Sequence, residues 1–333
     1  MKKQFIILIA FCLMLLVIPA QAQEEVTPQD LADPDGHFIE IDNAQIYYVE
    51  RGSSDDPAIM LLHGFGGSTF TWRDNMDPLV DAGYRVIAFD RPPYGLSDKN
   101  PDLDFTPQGY ALLTSALMDA LNIETAVLVG HSAGGAVIAQ FAIDYPERVD
   151  GLVFVAGALG GRADAATSTE DTPEPDGQSN NSALSGLFSA AAGLDPHSPL
   201  AQAAVRTFVT PERFVEILTS AYYDPAIVTD EVALGYQRIL QVSGWEVGFL
   251  AILSAPDEPI DLDLLAATID ENAILVLLIW GQDDSWVPMT AGQLLRDLLP
   301  NSQWITYPQI GHLPMEENIE QFNRDLLAFL ASF

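Results

Sequence analysis

The alternation of apolar and polar positions predicts that the chain opens with strands. Residues 37–42 and 44–50 alternate between apolar and polar side chains, which is typical of two short strands, and Asp42-Asn43 is the turn between them. Residues 58–62 form an unbroken apolar run, as expected of a strand that is buried on both faces. The pattern therefore predicts a hairpin followed by a buried strand.

Helix-like and strand-like segments alternate in the next hundred residues. Thr106 is a good N-cap and Pro107 suits the first helical position, which marks the start of one helix. Strands that alternate with helices of this length form βαβ units, so the pattern predicts a largely parallel sheet with helices on both faces. The predicted strands are 84–89, 125–129 and 149–155, and the predicted helices are 73–82, 107–121 and 133–145.

The alternation then stops. Residues 160–186 are rich in Ser, Thr, Asp, Pro, Gly and Asn and have no hydrophobic period, which predicts a mobile linker or lid segment. Beyond the linker, apolar residues recur at helical spacing without intervening strands, which predicts a small helical cap. The predicted cap helices lie near residues 200–208, 211–222, 228–242 and 245–253.

From residue 273 the alternation of strands and helices resumes. Residues 274–280 and 303–307 are predicted strands, residues 289–299 a helix, and the chain ends with an amphipathic helical pattern. We therefore predict one α/β domain in two parts, 23–157 and 263–333, interrupted by the linker and cap at 158–262.

The N-terminus has the pattern of a signal peptide. Met1-Lys2-Lys3 precedes an apolar run over residues 5–18, and Ala20-Gln21-Ala22 has the small-x-small pattern of a cleavage site. We predict that residues 1–22 are removed after Ala22 and that the protein is exported, either secreted or periplasmic. An uncleaved membrane anchor is the alternative, although the run is shorter than the roughly 20 residues that span a bilayer.

Composition excludes several functional classes. The single cysteine, Cys12, lies in the predicted leader, so the mature chain would have no thiol nucleophile, disulfide or thiolate metal site. A net charge of −33 repels phosphate backbones and anionic lipids, which argues against nucleic-acid binding and electrostatic docking on membranes. No metal-ligand cluster, phosphate loop or dinucleotide fingerprint is present, so we predict a small-molecule substrate and no cofactor or metal.

The central chemical signal is a G-x-S-x-G motif. Residues 130–134 read Gly-His-Ser-Ala-Gly, after a predicted strand and at the start of a predicted helix. In this context the turn is so sharp that the serine is held in a strained conformation with its hydroxyl exposed, and small residues on either side avoid clashes. A serine hydroxyl attacks only when a base removes its proton, so the motif calls for a histidine elsewhere.

With this motif the chain resembles the α/β-hydrolase fold family. Residues 63–67, His-Gly-Phe-Gly-Gly, are similar to the family's H-G-x-G loop, and residues 90–98 to its D-x-P-G-x-G-x-S segment. Pro93 stands where the family usually has glycine, which bears on the shape of that loop. Residues 281–288 resemble the family's acid turn and residues 311–312 its closing Gly-His. The resemblance spans about residues 58–333 apart from the cap.

The resemblance implies a catalytic role for each motif. Ser132 would be the nucleophile, Asp284 the orienting acid and His312 the general base, in the chain order expected of this fold. The backbone N–H groups of Phe65 and Ala133 would stabilise the oxyanion. Of the remaining histidines, those in the 63–67 loop and in the 130–134 motif are expected to support their loops.

Aromatic residues near these motifs are candidates for a substrate pocket. The candidates are Phe65, Phe70, Trp72 and Trp286, together with Tyr222, Tyr223 or Trp245 of the cap, for which internal packing is an equal alternative. The leading hypothesis for function is a carboxylic ester hydrolase that acts through an acyl-serine on a small or medium, partly apolar substrate. Amide or peptide, lactone and carbon–carbon bond hydrolysis and perhydrolysis remain open, as does a non-catalytic binding module.

Overall fold

The computed structural model describes residues 26–160, 193–256 and 258–333. They contain an eight-stranded sheet in the order β1-β2-β4-β3-β5-β6-β7-β8, in which β2 is antiparallel to both neighbours and all other pairs are parallel. The predicted α/β fold is confirmed. The strands are β1 Gly36–Ile41, β2 Ala44–Arg51, β3 Ala58–Leu62, β4 Arg85–Phe89, β5 Ala126–His131, β6 Val149–Val155, β7 Leu275–Gly281 and β8 Gln303–Tyr307.

Eleven α-helices lie in the described ranges. They are α1 Met76–Asp81, α2 Pro107–Ala120, α3 Ala133–Asp144, α4 Pro199–Phe208, α5 Pro211–Thr219, α6 Asp230–Gln237, α7 Trp245–Ser254, α8 Leu262–Glu271, α9 Met289–Leu298, α10 Pro314–Glu317 and α11 Ile319–Leu330. None of these helices is long and apolar enough to cross a membrane.

The opening hairpin turns at Asp42 and Asn43, as the alternation predicted. Both residues have positive φ angles, 48° and 68°, which suits a two-residue hairpin turn. β1 pairs with β2 in antiparallel register, with Ile41 opposite Ala44. The strands on either side therefore meet with their apolar positions aligned.

The central strands are buried because helices cover both faces of the sheet. In β3, Ile59 and Leu61 pack in one apolar cluster with Trp72 and Phe322, while alternate residues pack in a second cluster on the opposite face. All five residues of β3 are buried. The continuous apolar run in the sequence reflects this two-sided burial.

Before α8, the region between β6 and β7 carries helices α4 to α7 and, in its described part, no strand. Helices α4 and α7 pack together through a small apolar cluster that includes Val205, Val209 and Leu250. These four helices occupy the places where the sequence predicted cap helices, and we refer to them as the cap. Of the predicted linker at 160–186, only Gly160 lies within the described residues. The whole predicted leader, 1–22, lies outside them.

Two elements differ from the sequence prediction. The helix predicted at 73–82 is present as the shorter α1, Met76–Asp81, and a 3₁₀ turn, Thr69–Trp72, precedes it. Helix α8 was not predicted, although Asp261 caps it by accepting a hydrogen bond from the backbone N–H of Leu264 at 3.0 Å. Its buried face packs against α3, so α8 belongs to the sheet domain.

Candidate active site

Ser132, Asp284 and His312 all follow the carboxyl ends of parallel strands. Ser132 comes directly after β5, Asp284 after β7 and His312 in the segment after β8. The carboxyl ends of parallel strands lie at one edge of a sheet, where α/β proteins place their ligand sites. The fold therefore brings these three distant positions in the sequence to the same edge.

Ser132 stands on a strained turn between β5 and α3. Its φ of 49° and ψ of −121° are unusual for a residue other than glycine. The backbone is held there because the Ser132 carbonyl accepts from the N–H groups of Gly135 at 2.7 Å and Ala158 at 3.0 Å. A Cβ on Gly130 would lie 2.5 Å from the Gly134 carbonyl oxygen, so the turn requires glycine there.

The imidazole of His312 is paired with Asp284. Nδ1 of His312 lies 2.8 Å from Oδ2 of Asp284, and both side chains are buried. The other carboxylate oxygen accepts from the backbone N–H groups of Trp286 at 2.8 Å and Val287 at 2.9 Å. An acceptor at Nδ1 favours the tautomer with its proton on Nδ1, which leaves Nε2 able to take a proton.

The neighbouring Asp283 has a different role. Its side chain is exposed, and Oδ2 accepts from the backbone N–H of Gln309 at 3.0 Å. It thereby ties the acid turn to the segment that precedes His312. The structure brings Asp284 to the imidazole and leaves Asp283 on the surface of the turn.

His131 joins the serine turn to the His312 segment. Its Nε2 donates to the backbone carbonyl of His312 at 2.9 Å, and the two rings are 4.7 Å apart between centroids. Because His131 immediately precedes Ser132, this contact sets the distance between the turn and the imidazole segment.

The Gly-rich loop at 63–67 passes directly beside the serine. A Cβ on Gly64 would lie 2.8 Å from the Cβ of Ser132, so only glycine permits this approach. Phe65 follows at once, and Ala133 opens α3 on the other side of the serine. The two residues expected to stabilise an oxyanion therefore flank Ser132 in the chain segments that meet there.

Asp90 holds the loop of residues 90–98 in place. Its buried carboxylate accepts from the backbone N–H groups of Thr69 and Leu96, each at 2.6 Å. Burial raises the pKa of this carboxyl, and the two backbone donors oppose the effect. Pro93, where the family's motif usually has glycine, packs against Gly248 of the cap helix α7.

An apolar cavity of about 60 Å³ lies between this loop and the cap. Phe65 and Gly66 of the Gly-rich loop line the cavity, and Gly64 of the same loop lies against Ser132, so this loop connects the cavity wall to the serine turn. None of the lining residues carries a charge. The lining is Phe65, Gly66, Pro93, Tyr94, Val209, Phe214, Ile239, Leu240, Trp245, Phe249 and Ile252.

The aromatic pocket candidates lie in different places. Phe65 and Trp245 line the cavity, and Trp286 stacks on His312 with 5.4 Å between ring centroids. Phe70 instead packs edge-on against Tyr236 of α6, and Trp72 is fully buried in the hydrophobic core. Neither therefore lies on the wall of this cavity.

Both candidate tyrosines of the cap lie close to the His312 segment. Tyr222 donates its phenolic O–H to the buried Glu316 at 2.8 Å, whereas the ring of Tyr223 is half exposed. The cavity residues that the sequence did not single out include Val209, Phe214 and Phe249. Their only signal was the apolar spacing of the cap helices, which does not separate wall residues from packing residues.

A model of the alpha/beta hydrolase fold family matches residues 57–319. The chain belongs to the α/β-hydrolase fold family. The match includes the Gly-rich loop, the serine turn, the acid turn and His312, and it also spans the cap.

Relatives of this α/β-hydrolase include hydrolases named for hydroxy-oxo-dienedioate and hydroxy-oxo-dienoate substrates. It is 30% identical over 290 residues to a 2-hydroxy-6-oxononadienedioate/2-hydroxy-6-oxononatrienedioate hydrolase from Paraburkholderia phymatum, covering 86% of this chain and 91% of that protein. It is also 30% identical, with the same coverage, to a 2-hydroxy-6-oxo-6-phenylhexa-2,4-dienoate hydrolase from Comamonas testosteroni.

An esterase has a similar three-dimensional structure. A thermophilic esterase from Thermogutta terrifontis matches with a TM-score of 0.67 and 23% identity, covering 89% of this chain and 98% of that one. At this level of identity the likeness concerns the fold. Together with the sequence relatives it establishes a hydrolase of the α/β fold and leaves open which bond is cleaved.

The remaining histidines of this α/β-hydrolase site stay neutral. Burial, with a smaller contribution from the Arg91 guanidinium, lowers the pKa of His63 well below its ordinary value. Burial also lowers the pKa of His131, and the neighbouring His312 adds to the effect. The Nε2 of His63 accepts from the backbone N–H of Arg91 at 3.0 Å, and its Nδ1 lies 2.8 Å from the Gly64 carbonyl oxygen. Both rings support loops.

Within residues 26–160, 193–256 and 258–333, no group of three or more His, Cys, Asp or Glu side chains is placed to hold a metal ion.

Proposed function

We propose that this α/β-hydrolase is an exported serine hydrolase that cleaves carboxylic esters through an acyl-serine intermediate. The strained Ser132 beside the His312–Asp284 pair supports serine chemistry. The observation that carries the choice of substrate is the cavity lined by Phe65 and Gly66 of the Gly-rich loop, whose lining is apolar and uncharged. Such a wall suits the hydrocarbon part of a small neutral ester.

In the proposed first half-reaction, the Ser132 hydroxyl attacks the ester carbonyl and Nε2 of His312 takes the hydroxyl proton. Asp284 accepts the Nδ1–H and stabilises the imidazolium that forms. The backbone N–H groups of Ala133 and Phe65 donate to the oxyanion of the tetrahedral intermediate. Its collapse breaks the bond to the alcohol oxygen, which leaves with the proton from His312.

The second half-reaction repeats this chemistry with water. His312 takes a proton from water as the oxygen attacks the acyl carbon, and the proton passes to Ser132 Oγ when the acyl bond breaks. The products are the carboxylic acid and the regenerated serine. Hydrolysis of amides or lactones, and perhydrolysis with peroxide as the nucleophile, would use the same groups. These activities are therefore variants of one mechanism.

Carbon–carbon bond hydrolysis is the second candidate, and the two 30% identical relatives favour it. The names of their substrates denote carboxylates, with two in the dienedioate. Burying a carboxylate costs several kcal/mol unless a cation or several donors meet it. The described cavity wall offers neither, which is why we place esters first.

A substrate panel separates the two candidates. The mature enzyme would be assayed against p-nitrophenyl esters of two to twelve acyl carbons, the corresponding p-nitroanilides and 2-hydroxy-6-oxo-6-phenylhexa-2,4-dienoate. We expect the highest kcat/KM for a short ester. A higher kcat/KM for the dienoate would replace the ester assignment by carbon–carbon bond hydrolysis.

The size of the cavity predicts an acyl-chain preference. About 60 Å³ is less than half of the roughly 150 Å³ of an apolar cavity that binds benzene, which leaves room for a few methylene groups. Phe249→Ala removes a ring from the wall and should raise the octanoate-to-butyrate ratio of kcat/KM at least about tenfold.

Phe208→Ala is the matched control for this change. Phe208 is an exposed aromatic residue of the cap and does not line the cavity, so its removal should leave the ratio unchanged. An unchanged ratio in Phe249→Ala, or an equal change in both variants, would show that the acyl chain binds elsewhere.

We propose that residues 1–22 direct export and are removed, because a basic start, an apolar run and a small-x-small site follow one another there. N-terminal sequencing of the exported protein should then begin at Gln23. An intact N-terminus in the membrane fraction would support the anchored alternative.

A further inference from the structure

Glu316 is a buried carboxylate next to the candidate active site. It lies on α10, four residues after His312, and is 4% exposed. It accepts from the guanidinium of Arg73 at 2.7 Å and from the phenols of Tyr222, at 2.8 Å, and Tyr236. Arg73 belongs to the sheet domain, whereas both phenols come from the cap, so one carboxylate joins the two.

The protonation states suit these hydrogen bonds. Burial raises the pKa of both phenols, so Tyr222 and Tyr236 keep their protons and donate. Burial also raises the pKa of Glu316, while the guanidinium of Arg73 opposes this effect. With three donors around it, the buried carboxylate has the partners that burial of such a group requires.

The contact with Tyr222 leads back to His312. The carbonyl oxygen of the preceding residue, Ala221, accepts a hydrogen bond from the backbone N–H of His312 at 2.7 Å. These contacts therefore form a closed ring. It consists of the chain from His312 to Glu316, the hydrogen bond from Tyr222 to Glu316, and the hydrogen bond from His312 to Ala221. Glu317 reinforces this ring by accepting from the backbone N–H groups of Gly311 at 2.8 Å and Tyr223 at 2.7 Å.

Resting on the proposed serine chemistry, we infer that Glu316 is a positioning residue that acts through Tyr222. By holding the Tyr222 phenol it places the Ala221 carbonyl, and that carbonyl fixes the backbone of His312. The position of the base is thus coupled to the docking of the cap. A displacement of the base by about 1 Å is enough to cost a large factor in turnover.

Tyr236 provides a matched comparison. Its phenol binds the same carboxylate, and its oxygen also lies 3.1 Å from Oγ1 of Thr71 in the sheet domain. Tyr236 stands on α6, which supplies no backbone acceptor to His312. Removing either hydroxyl takes one donor from Glu316, but only the loss at Tyr222 affects the segment that holds the base.

The test compares Tyr222→Phe, Tyr236→Phe and Glu316→Gln with the unaltered mature enzyme. For each, kcat and KM would be measured on one short p-nitrophenyl ester, together with Tm and the rate of fluorophosphonate labelling. We expect Tyr222→Phe and Glu316→Gln to lower kcat and the labelling rate about tenfold, with KM within about twofold. Tyr236→Phe should lower Tm about as much as Tyr222→Phe while leaving kcat within about twofold.

Equal losses of kcat in the two tyrosine variants would overturn the inference, because Glu316 would then only hold the cap. An unchanged kcat in Tyr222→Phe would overturn it as well. If the unaltered enzyme is labelled but cleaves no ester, the labelling rates still provide the comparison. If it is not labelled at all, the proposed serine chemistry fails, and this outcome is visible before any variant is made.

Discussion

Replacing Ser132 by alanine is expected to abolish fluorophosphonate labelling and to lower ester turnover by roughly 10⁶-fold, the scale of removing a catalytic nucleophile. The reason is that His312 and the oxyanion donors remain, but no group is left to form the acyl-enzyme. The fold should persist, because the turn is held by backbone hydrogen bonds of Ser132, Gly135 and Ala158 that alanine also makes. Mass spectrometry of the labelled protein and a p-nitrophenyl ester assay measure the two effects.

Ser302→Ala is a suitable control for this substitution. The hydroxyl of Ser302 donates to the Leu299 carbonyl at 2.7 Å, in the segment between α9 and β8 and away from the serine turn. Labelling should be unchanged in this variant. Labelling that persists in Ser132→Ala would identify a different nucleophile and would contradict the assignment of Ser132.

Replacing Asp284 by asparagine is expected to lower kcat/KM by about 10³ to 10⁴, the size of effect found for the equivalent change in other serine hydrolases. Asparagine preserves the shape of the side chain, but its amide can direct an N–H at Nδ1 of His312 and favour the wrong tautomer. It also cannot stabilise the imidazolium formed during attack. The remaining oxygen can still accept from Trp286 and Val287, so the acid turn should keep its conformation.

Asp283→Asn is the matched control, one position away in the same turn. Within the described residues, its exposed carboxylate accepts one hydrogen bond, from the backbone N–H of Gln309. The amide oxygen of asparagine can accept the same bond. The loss in kcat/KM should be at most about tenfold. A greater loss for Asp283→Asn than for Asp284→Asn, measured on one ester, would mean that the acid is assigned to the wrong carboxylate.

Local patterns were sufficient to predict most of the fold. The two-sided burial of β3 and the N-cap at Thr106 depend on residues that are close in sequence, so apolar runs and capping residues reveal them. Helix α8 was missed because its apolar stripe is short and follows an acidic, proline-containing stretch. Asp261 as N-cap, with Leu265 and Ile269 on one face, was the available signal.

The residues of the candidate site also differ in how well the sequence predicts their positions. The motifs of Ser132, Asp284 and His312 are recognisable because each needs particular residues within a few positions. The sequence could not predict where the side chains of Phe70 and Trp72 lie, since an aromatic side chain near a motif can face the cavity, the cap or the core. That choice depends on contacts with elements far away in the chain.

The sequence by itself determined most of the order of strands and helices and the sharp serine turn, because these follow from local spacing and backbone requirements, and the family resemblance of its motifs indicated the three polar groups. Only the tertiary structure decided that the cavity wall is uncharged and that Glu316 binds Tyr222 of the cap; it also places the predicted acid, Asp284, against His312. Tyr222 and Glu316 are far apart in the sequence, so no local sequence pattern indicates that they are in contact. Their contact exists only in the folded chain, where Glu316 is buried and needs donors.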